Sequence, residues 1–250
     1  MILSGRVVVV TGGSRGIGRA CVLAAVAQGA DVIFCSRTDG ADSREVEAAA
    51  RRIGTGTACG VAADVSDERS IERLFEIVRD RYGVVHATVN NAAVSREQLL
   101  VSLDSADWDA VVATNLTGGF LVARESLRAF LDHGQPGRIV SIGSLSQYGA
   151  IGNASYAVSK GGLWGLTRAI ARQYAERGVV ANMVVPGYVE TALSAALPEA
   201  SRRALIEGCP MRRAGTPEEI AAAVVFLLSD AATPLAEPLF AAGGFREVPP

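Results

Sequence analysis

The chain has 250 residues, 49% of them hydrophobic and 20% charged, with a formal net charge of −2 at pH 7. That length suits one sizeable domain with a buried core, and the near-neutral balance gives no electrostatic footprint for nucleic acid or a membrane surface. Cysteines at 21, 35, 59 and 209 show no C-x-x-C spacing, so reduced thiols and no metal site are expected.

The amino-terminal stretch "MILSGRVVVVTGG" has no basic leader and only a short apolar run, which reads as neither a signal peptide nor a membrane span. A cytoplasmic protein is the expectation. From that point short apolar runs alternate with amphipathic stretches. "RVVVV" (6–10), "DVIFCS" (31–36), "TACGVAA" (57–63), "VHATVN" (85–90), "RIVSIG" (138–143) and "VVANMVV" (179–185) read as strands buried on both faces. Between the third and fourth of these, Ile71, Leu74, Phe75 and Val78 fall on one helical face, with Ser66 or Asp67 able to cap its start. Near the carboxyl end, Thr216 and Glu219 form a capping box with Pro217 at the first helical position. Strand–helix alternation without linker or repeat predicts an α/β fold: one doubly wound, Rossmann-type domain over 1–250. Its sheet is expected to be mostly parallel, of about seven strands, with helices on both faces and ligands at the strands' carboxyl ends.

The first strand runs into "TGGSRGIGRA", where Gly12, Gly16 and Gly18 give a G-x-x-x-G-x-G spacing. Glycines there let the backbone approach a pyrophosphate, and the following helix offers free N–H groups and a positive dipole end. An NAD site places an acid at the end of the second strand to accept from the ribose 2′-OH. This chain has Ser36-Arg37 there, and a guanidinium suits a 2′-phosphate; Arg15 adds a second cation. NADPH is therefore the expected cofactor, with Asp39 keeping NAD(H) as the lesser alternative.

Lys160 is the only lysine beside 23 arginines, and it follows Tyr156 by four residues, one turn on the same helical face. An ammonium about 4 Å from a phenol would lower its pKa of about 10 by two to three units, enough for proton exchange near neutrality. Ser144 stands at the end of the "RIVSIGS" strand, where its hydroxyl serves either a reacting oxygen or a strand-end cap. Asn115 sits in a helical pattern that disfavours asparagine, and a buried polar role such as holding a water would justify it.

Together these residues resemble the short-chain dehydrogenase/reductase family. The resemblance spans essentially the whole chain, from "TGGSRGIG" through "NNAA" (90–93), "TN" (114–115), the Ser144 strand and "YAVSK" to "NMVVPGYVET" (182–191) and "GTPEEIAAAVVFLLSD" (215–230). It implies Tyr156 as general acid/base and Lys160 as the group that lowers its pKa while binding the nicotinamide ribose. Ser144 would position the substrate carbonyl, and Asn115 would anchor a water in a proton relay. Cofactor contacts are implied for Gly12, Ser14, Arg15, Gly16, Ile17 and Gly18 in the glycine loop and for Ser36 and Arg37 beyond the second strand. Asp64 and Val65 would meet the adenine, Asn91 the ribose side, and Pro186, Gly187 and Val189 the nicotinamide carboxamide.

Within the family the chain is similar to the 3-oxoacyl-thioester reductases of fatty-acid synthesis and the stand-alone ketoreductases of polyketide pathways. The implied activity is reduction of a 3-oxoacyl or polyketide-type carbonyl to a secondary alcohol. A free small ketone, sugar or steroid is the alternative substrate, and a non-catalytic dinucleotide sensor the remote one. Arg177 matches a position that docks an acyl carrier protein, although solvation explains an exposed arginine equally well. Segment 188–210 would cover an apolar or mixed substrate as a lid. The departures are Ala93 in place of the usual glycine, His86 on a surface turn in place of an aspartate, and "PLA" at 234–236 in the region that packs subunits. A homo-oligomer, tetramer or dimer, is implied.

Overall fold

The computed structural model describes residues 1–38, 40–195, 199–233 and the strand at 239–241. Seven strands form one sheet in the order β3-β2-β1-β4-β5-β6-β7. They are β1 (Val7–Thr11), β2 (Asp31–Ser36), β3 (Thr57–Ala62), β4 (Ala87–Asn90), β5 (Arg138–Ile142), β6 (Val180–Pro186) and β7 (Leu239–Ala241). Every pairing is parallel, so the sheet is wholly and not merely mostly parallel. The order reverses at β1, where chain continuity runs outward through β2 and β3 and then returns through β4. Crossover helices must lie on the faces of such a sheet. One face packs on α1 (Gly16–Ala27), part of α2 (Ala41–Ile53) and α9 (Pro217–Leu228). The other packs on α3 (Glu68–Tyr82), α5 (Gly118–Asp132) and α6 (Ala154–Tyr174).

Strands β1, β4 and β5 are fully buried, as strands covered on both faces of a parallel sheet are. Edge strand β3 is not; its residues are half-buried or exposed, because no further strand covers it and "TACGVA" offers only small side chains. The capping box of α9 forms as expected, Thr216 Oγ1 accepting from Glu219 N at 3.2 Å while Glu219 accepts from Thr216 N at 2.8 Å. At α3 the cap differs. Asp67 occupies the N-cap position without a side-chain bond, and Ser66 donates instead to Asp64 at 2.7 Å.

His86 is not on a surface turn. Its Nδ1 accepts from Val7 N at 2.9 Å and its own N–H donates to Val7 O at 2.9 Å, extending the β1–β4 pairing by one residue. Beside it, Arg138 opens β5 almost buried and donates to Asp230 at 3.0 Å and Thr233 at 2.8 Å. The four cysteines are free thiols. Cys21, Cys35 and Cys209 are buried, whereas Cys59 is half-buried and accepts a 3.1 Å contact from Arg81. No helix among the described residues is long and apolar enough to cross a membrane.

Candidate active site

All predicted site residues lie along the carboxyl edge of the sheet, around the point where the strand order reverses. After β1 the chain turns through Gly12 and enters α1 at Gly16, both with positive φ (65° and 54°). A Cβ on Gly18 would stand 2.1 Å from Gly12 O and 2.5 Å from Asn91 Nδ2, so no larger residue fits the first turn of the helix. The N-terminus of α1 has no side-chain cap and no acidic residue in its first turn. Its N–H groups and positive dipole end therefore remain available to a phosphate. The side chains of Arg15 and Arg37 are exposed and, among the described residues, make no hydrogen bond or ion pair. The cradle fits a dinucleotide.

The loop holds its shape through strand β4. Thr11 Oγ1 accepts from both Asn91 N and Ala92 N at 3.0 Å. Asn91 Nδ2 donates to Thr11 O at 2.9 Å and Gly12 O at 3.1 Å, spending both amide hydrogens on the loop. Asn91 thus shapes the cradle and leaves only its Oδ1 for the ribose side. At the adenosine end Ser36 pairs with Ala62, bringing Arg37 near Asp64. Hydrogen bonds from Ser66 hold the Asp64 carboxyl below its usual pKa, and the Arg37 charge adds to this. The Val65 side chain is buried against Gly118, where an added Cβ would come within 2.9 Å of it.

At the other end, Pro186 closes β6 and Gly187 follows half-buried. The Val189 side chain is buried in the core and its carbonyl accepts from Ser194 Oγ at 2.8 Å, which leaves the N–H for a ligand. A short helix α7 (Ala192–Ala195) follows, and a Cβ on Gly16 would sit 3.5 Å from Thr191 Cγ2, so this segment lies over the phosphate loop. A bridge between Val189 and Gly215 ties its root, with α8 (Glu199–Gly208) between them. Residues 196–198 of the expected lid, Asp39 and segment 234–236 lie outside the described residues.

Ser144, Tyr156 and Lys160 come together as the spacing predicts. The Ser144 hydroxyl lies beside the Tyr156 phenol and acts to lower its pKa, and Lys160 Nζ stands 5.5 Å from the Tyr156 ring centroid. Lys160 is 2% exposed, and its Nζ donates to Ile142 O at 2.6 Å, leaving two of its three donors. The electrostatics differ from expectation. Burial pushes the Tyr156 phenol up, from 10.0 to about 12, against the lowering effect of Ser144. Burial also brings Lys160 down from 10.5 to about 8. Desolvation is the leading cause at both groups.

Asn115 is buried, but not in an ordinary helix. It occupies a π-turn (Ala113–Thr117) between α4 (Ser105–Val112) and α5, where the i→i+5 pattern rearranges backbone groups. Its Oδ1 accepts from Val94 N at 2.8 Å, and its Nδ2 donates to Val94 O at 2.9 Å and to Ser159 Oγ at 3.1 Å. The side chain therefore clamps the β4–α4 loop to α6, with both amide hydrogens engaged. Sequence reasoning missed Ser159 and Thr11; Ser159 lies inside "YAVSK", and an inward-facing serine beside the lysine is the signal that points to it. Asn153 and Ser95 add a second tie, with Nδ2 to Oγ at 2.9 Å.

Comparison with known proteins agrees with this geometry. A family model described as enoyl-(acyl carrier protein) reductase matches residues 12–244. The 3-oxoacyl-(acyl-carrier-protein) reductase FabG of Vibrio harveyi is 38% identical over 99% of this chain and 100% of its own length. The enzyme of the same name from Pseudomonas aeruginosa is 39% identical over 93% of each chain. The crystal structure of levodione reductase superposes with a TM-score of 0.92 at 30% identity, covering 97% of this chain and 98% of that one. The chain belongs to the short-chain dehydrogenase/reductase family and is an oxidoreductase whose chemistry runs on a nicotinamide dinucleotide.

Proposed function

We propose that the protein is an NADPH-dependent ketoreductase that converts a 3-oxoacyl thioester or polyketide-type carbonyl to a secondary alcohol. The observation that carries this reading is the Ser144–Tyr156 hydroxyl pair beside the buried Lys160, at the mouth of a glycine cradle flanked by unpaired Arg15 and Arg37. The bound dinucleotide supplies the hydride. Ser144 and Tyr156 hold the substrate oxygen, and Tyr156 delivers its proton there as charge develops. A phenol that burial holds above its ordinary value stays protonated at neutral pH and can still give its proton to an alkoxide, a far stronger base. Lys160 directs its free donors to the ribose and keeps positive charge at the phenol. Arg15 and Arg37 meet the 2′-phosphate, which favours NADPH over NADH.

The whole chain acts as one domain, with 188–210 closing over the substrate and excluding water. Arg177 is the candidate contact for an acidic carrier, and a homo-oligomer working in the cytoplasm completes the reading. NADPH oxidation with an acetoacetyl thioester, run in parallel with a crotonyl thioester and with NADH, tests it. Turnover of the 3-oxo substrate with NADPH supports the proposal. Turnover of the crotonyl substrate alone would make the protein an enoyl reductase, in line with the family model's description. Reduction of free ketones but neither thioester would remove the carrier-linked role.

A further inference from the structure

Just past Ser144 stands a polar group that the chemistry above does not use. Gln147 belongs to the tight turn Leu145–Tyr148, and its N–H donates to Ser144 O at 3.0 Å, which places it one turn beyond that serine. Its side chain folds back toward the reacting centre. A Cβ on Gly143, the neighbour of Ser144, would stand 3.0 Å from Gln147 Oε1 and 2.7 Å from Met183 Sδ, so glycine at 143 leaves the room that the amide occupies. Both Gln147 Oε1 and Nε2 are buried and, among the described residues, have no hydrogen-bond partner. Trp164 Nε1 is buried and unpartnered in the same way. The indole packs against the cluster that contains Met183, and its ring meets that of Tyr148, the residue after Gln147, edge-on at 6.2 Å. Buried polar groups are paired in the great majority of cases, and leaving one unpaired costs the fold its desolvation. Two such groups here flank one small apolar cluster beside the catalytic serine.

We propose that Gln147 and Trp164 form a polar subsite for the second carbonyl oxygen of a 1,3-dicarbonyl substrate, the thioester oxygen of a 3-oxoacyl chain. Gln147 Nε2 brings two hydrogens and the indole one, and a carbonyl oxygen, which only accepts, matches that donor set. Ser144 and Tyr156 hold the ketone oxygen. The Gln147 amide, folded back to Gly143, takes the oxygen two carbons farther along the chain. Tyr148 is the cover. It is 36% exposed and is followed by Gly149 at φ 112°, a conformation glycine adopts without strain, so the end of the turn can shift to admit the substrate. Gln147 is therefore a specificity-determining residue: a simple ketone leaves its amide unpaired in the closed site, whereas a 3-oxoacyl thioester satisfies it. The assignment rests on the ketoreductase reading above and names the substrate group that distinguishes its two branches.

The test uses two substrates that differ in this one oxygen: an acetoacetyl thioester and the matching thioether of 4-sulfanylbutan-2-one, in which CH2 replaces the thioester carbonyl. Gln147→Met keeps the length of the side chain and removes its amide, and Trp164→Phe removes the indole donor. Comparing each variant with wild type on each substrate cancels the difference in intrinsic reactivity. Gln147→Met is expected to lower kcat/KM for the thioester about 10- to 100-fold more than for the thioether ketone, the reach of hydrogen bonds lost in a buried site, and Trp164→Phe to shift the ratio the same way by a smaller factor. Equal losses on the two substrates, or none, overturn the subsite while leaving the ketoreductase reading intact. Thermal unfolding without ligand gives a readout besides activity. Because an unpaired amide costs the free protein, Gln147→Met should melt at or above the wild-type Tm, and a clear fall in Tm overturns the proposal by showing the amide paired within the protein. A wild type that reduces neither compound refutes the proposed function, and the subsite falls with it.

Discussion

The buried lysine should cost the fold more than it contributes, and replacing it shows how much. Bringing the Lys160 pKa from 10.5 to about 8 means that the charged form is disfavoured in the folded protein by about 3 kcal/mol. The sign follows from linkage. Below pH 8 the lysine is protonated in both folded and unfolded chains, so the penalty is present in full; it fades as pH rises from 8 to 10.5, where the folded protein has released its proton and the unfolded chain has not. Lys160→Met removes the charge at similar volume but leaves Ile142 O without its 2.6 Å donor, a loss of about 1–2 kcal/mol. The net expectation at pH 7 is a variant more stable by about 1–2 kcal/mol and nearly devoid of activity. For a chain of this size that corresponds to a rise in Tm of roughly 2–8 °C. Urea titrations of both proteins without cofactor, from pH 7 to 10, read the difference directly. The advantage of the variant should shrink as pH passes 8. A Met variant less stable than wild type at pH 7, or a difference that stays flat with pH, would refute the view that the site is bought with stability.

Gly18→Ala should abolish dinucleotide binding while leaving the far side of the sheet intact, since its Cβ would stand 2.1 Å from a backbone oxygen; tryptophan fluorescence or calorimetric titration with NADPH checks this. Arg37→Glu should lower kcat/KM for NADPH about 10- to 100-fold and leave NADH turnover near its starting value, the worth of a charge-assisted contact to the 2′-phosphate. His86 accepts from Val7 only when Nδ1 is unprotonated, and burial followed by the nearby Arg6 charge lowers its pKa. Its contribution to stability is therefore present above about pH 6.5 and lost as pH falls below that value. Thermal unfolding between pH 5 and 7 should show this loss, and His86→Leu should flatten it.

Much of the architecture was legible because it depends on patterns a few residues long. The second strand, "DVIFCS", falls at Asp31–Ser36 as read, and the α9 capping box forms between the two residues that signal it. The Tyr156–Lys160 pair follows from helical spacing alone. What escaped depends on partners distant in sequence. Asn115 is a clamp because Val94 stands opposite it, 21 residues earlier, and nothing local announces that contact. His86 became part of the sheet because β1 offers it a backbone donor 79 residues away. The Tyr156 shift runs opposite to expectation for a related reason: spacing reveals which charges are near, but not how far burial takes each group from solvent.

The burial of the solitary lysine has a consequence for chemical labelling. Every other cation on the surface is a guanidinium, so the folded protein presents its α-amine alone to acylating reagents, lysine-directed crosslinkers or acetyl donors. Lys160 is 2% exposed, so its modification should lag far behind that of the α-amine, and a bound dinucleotide should slow it further.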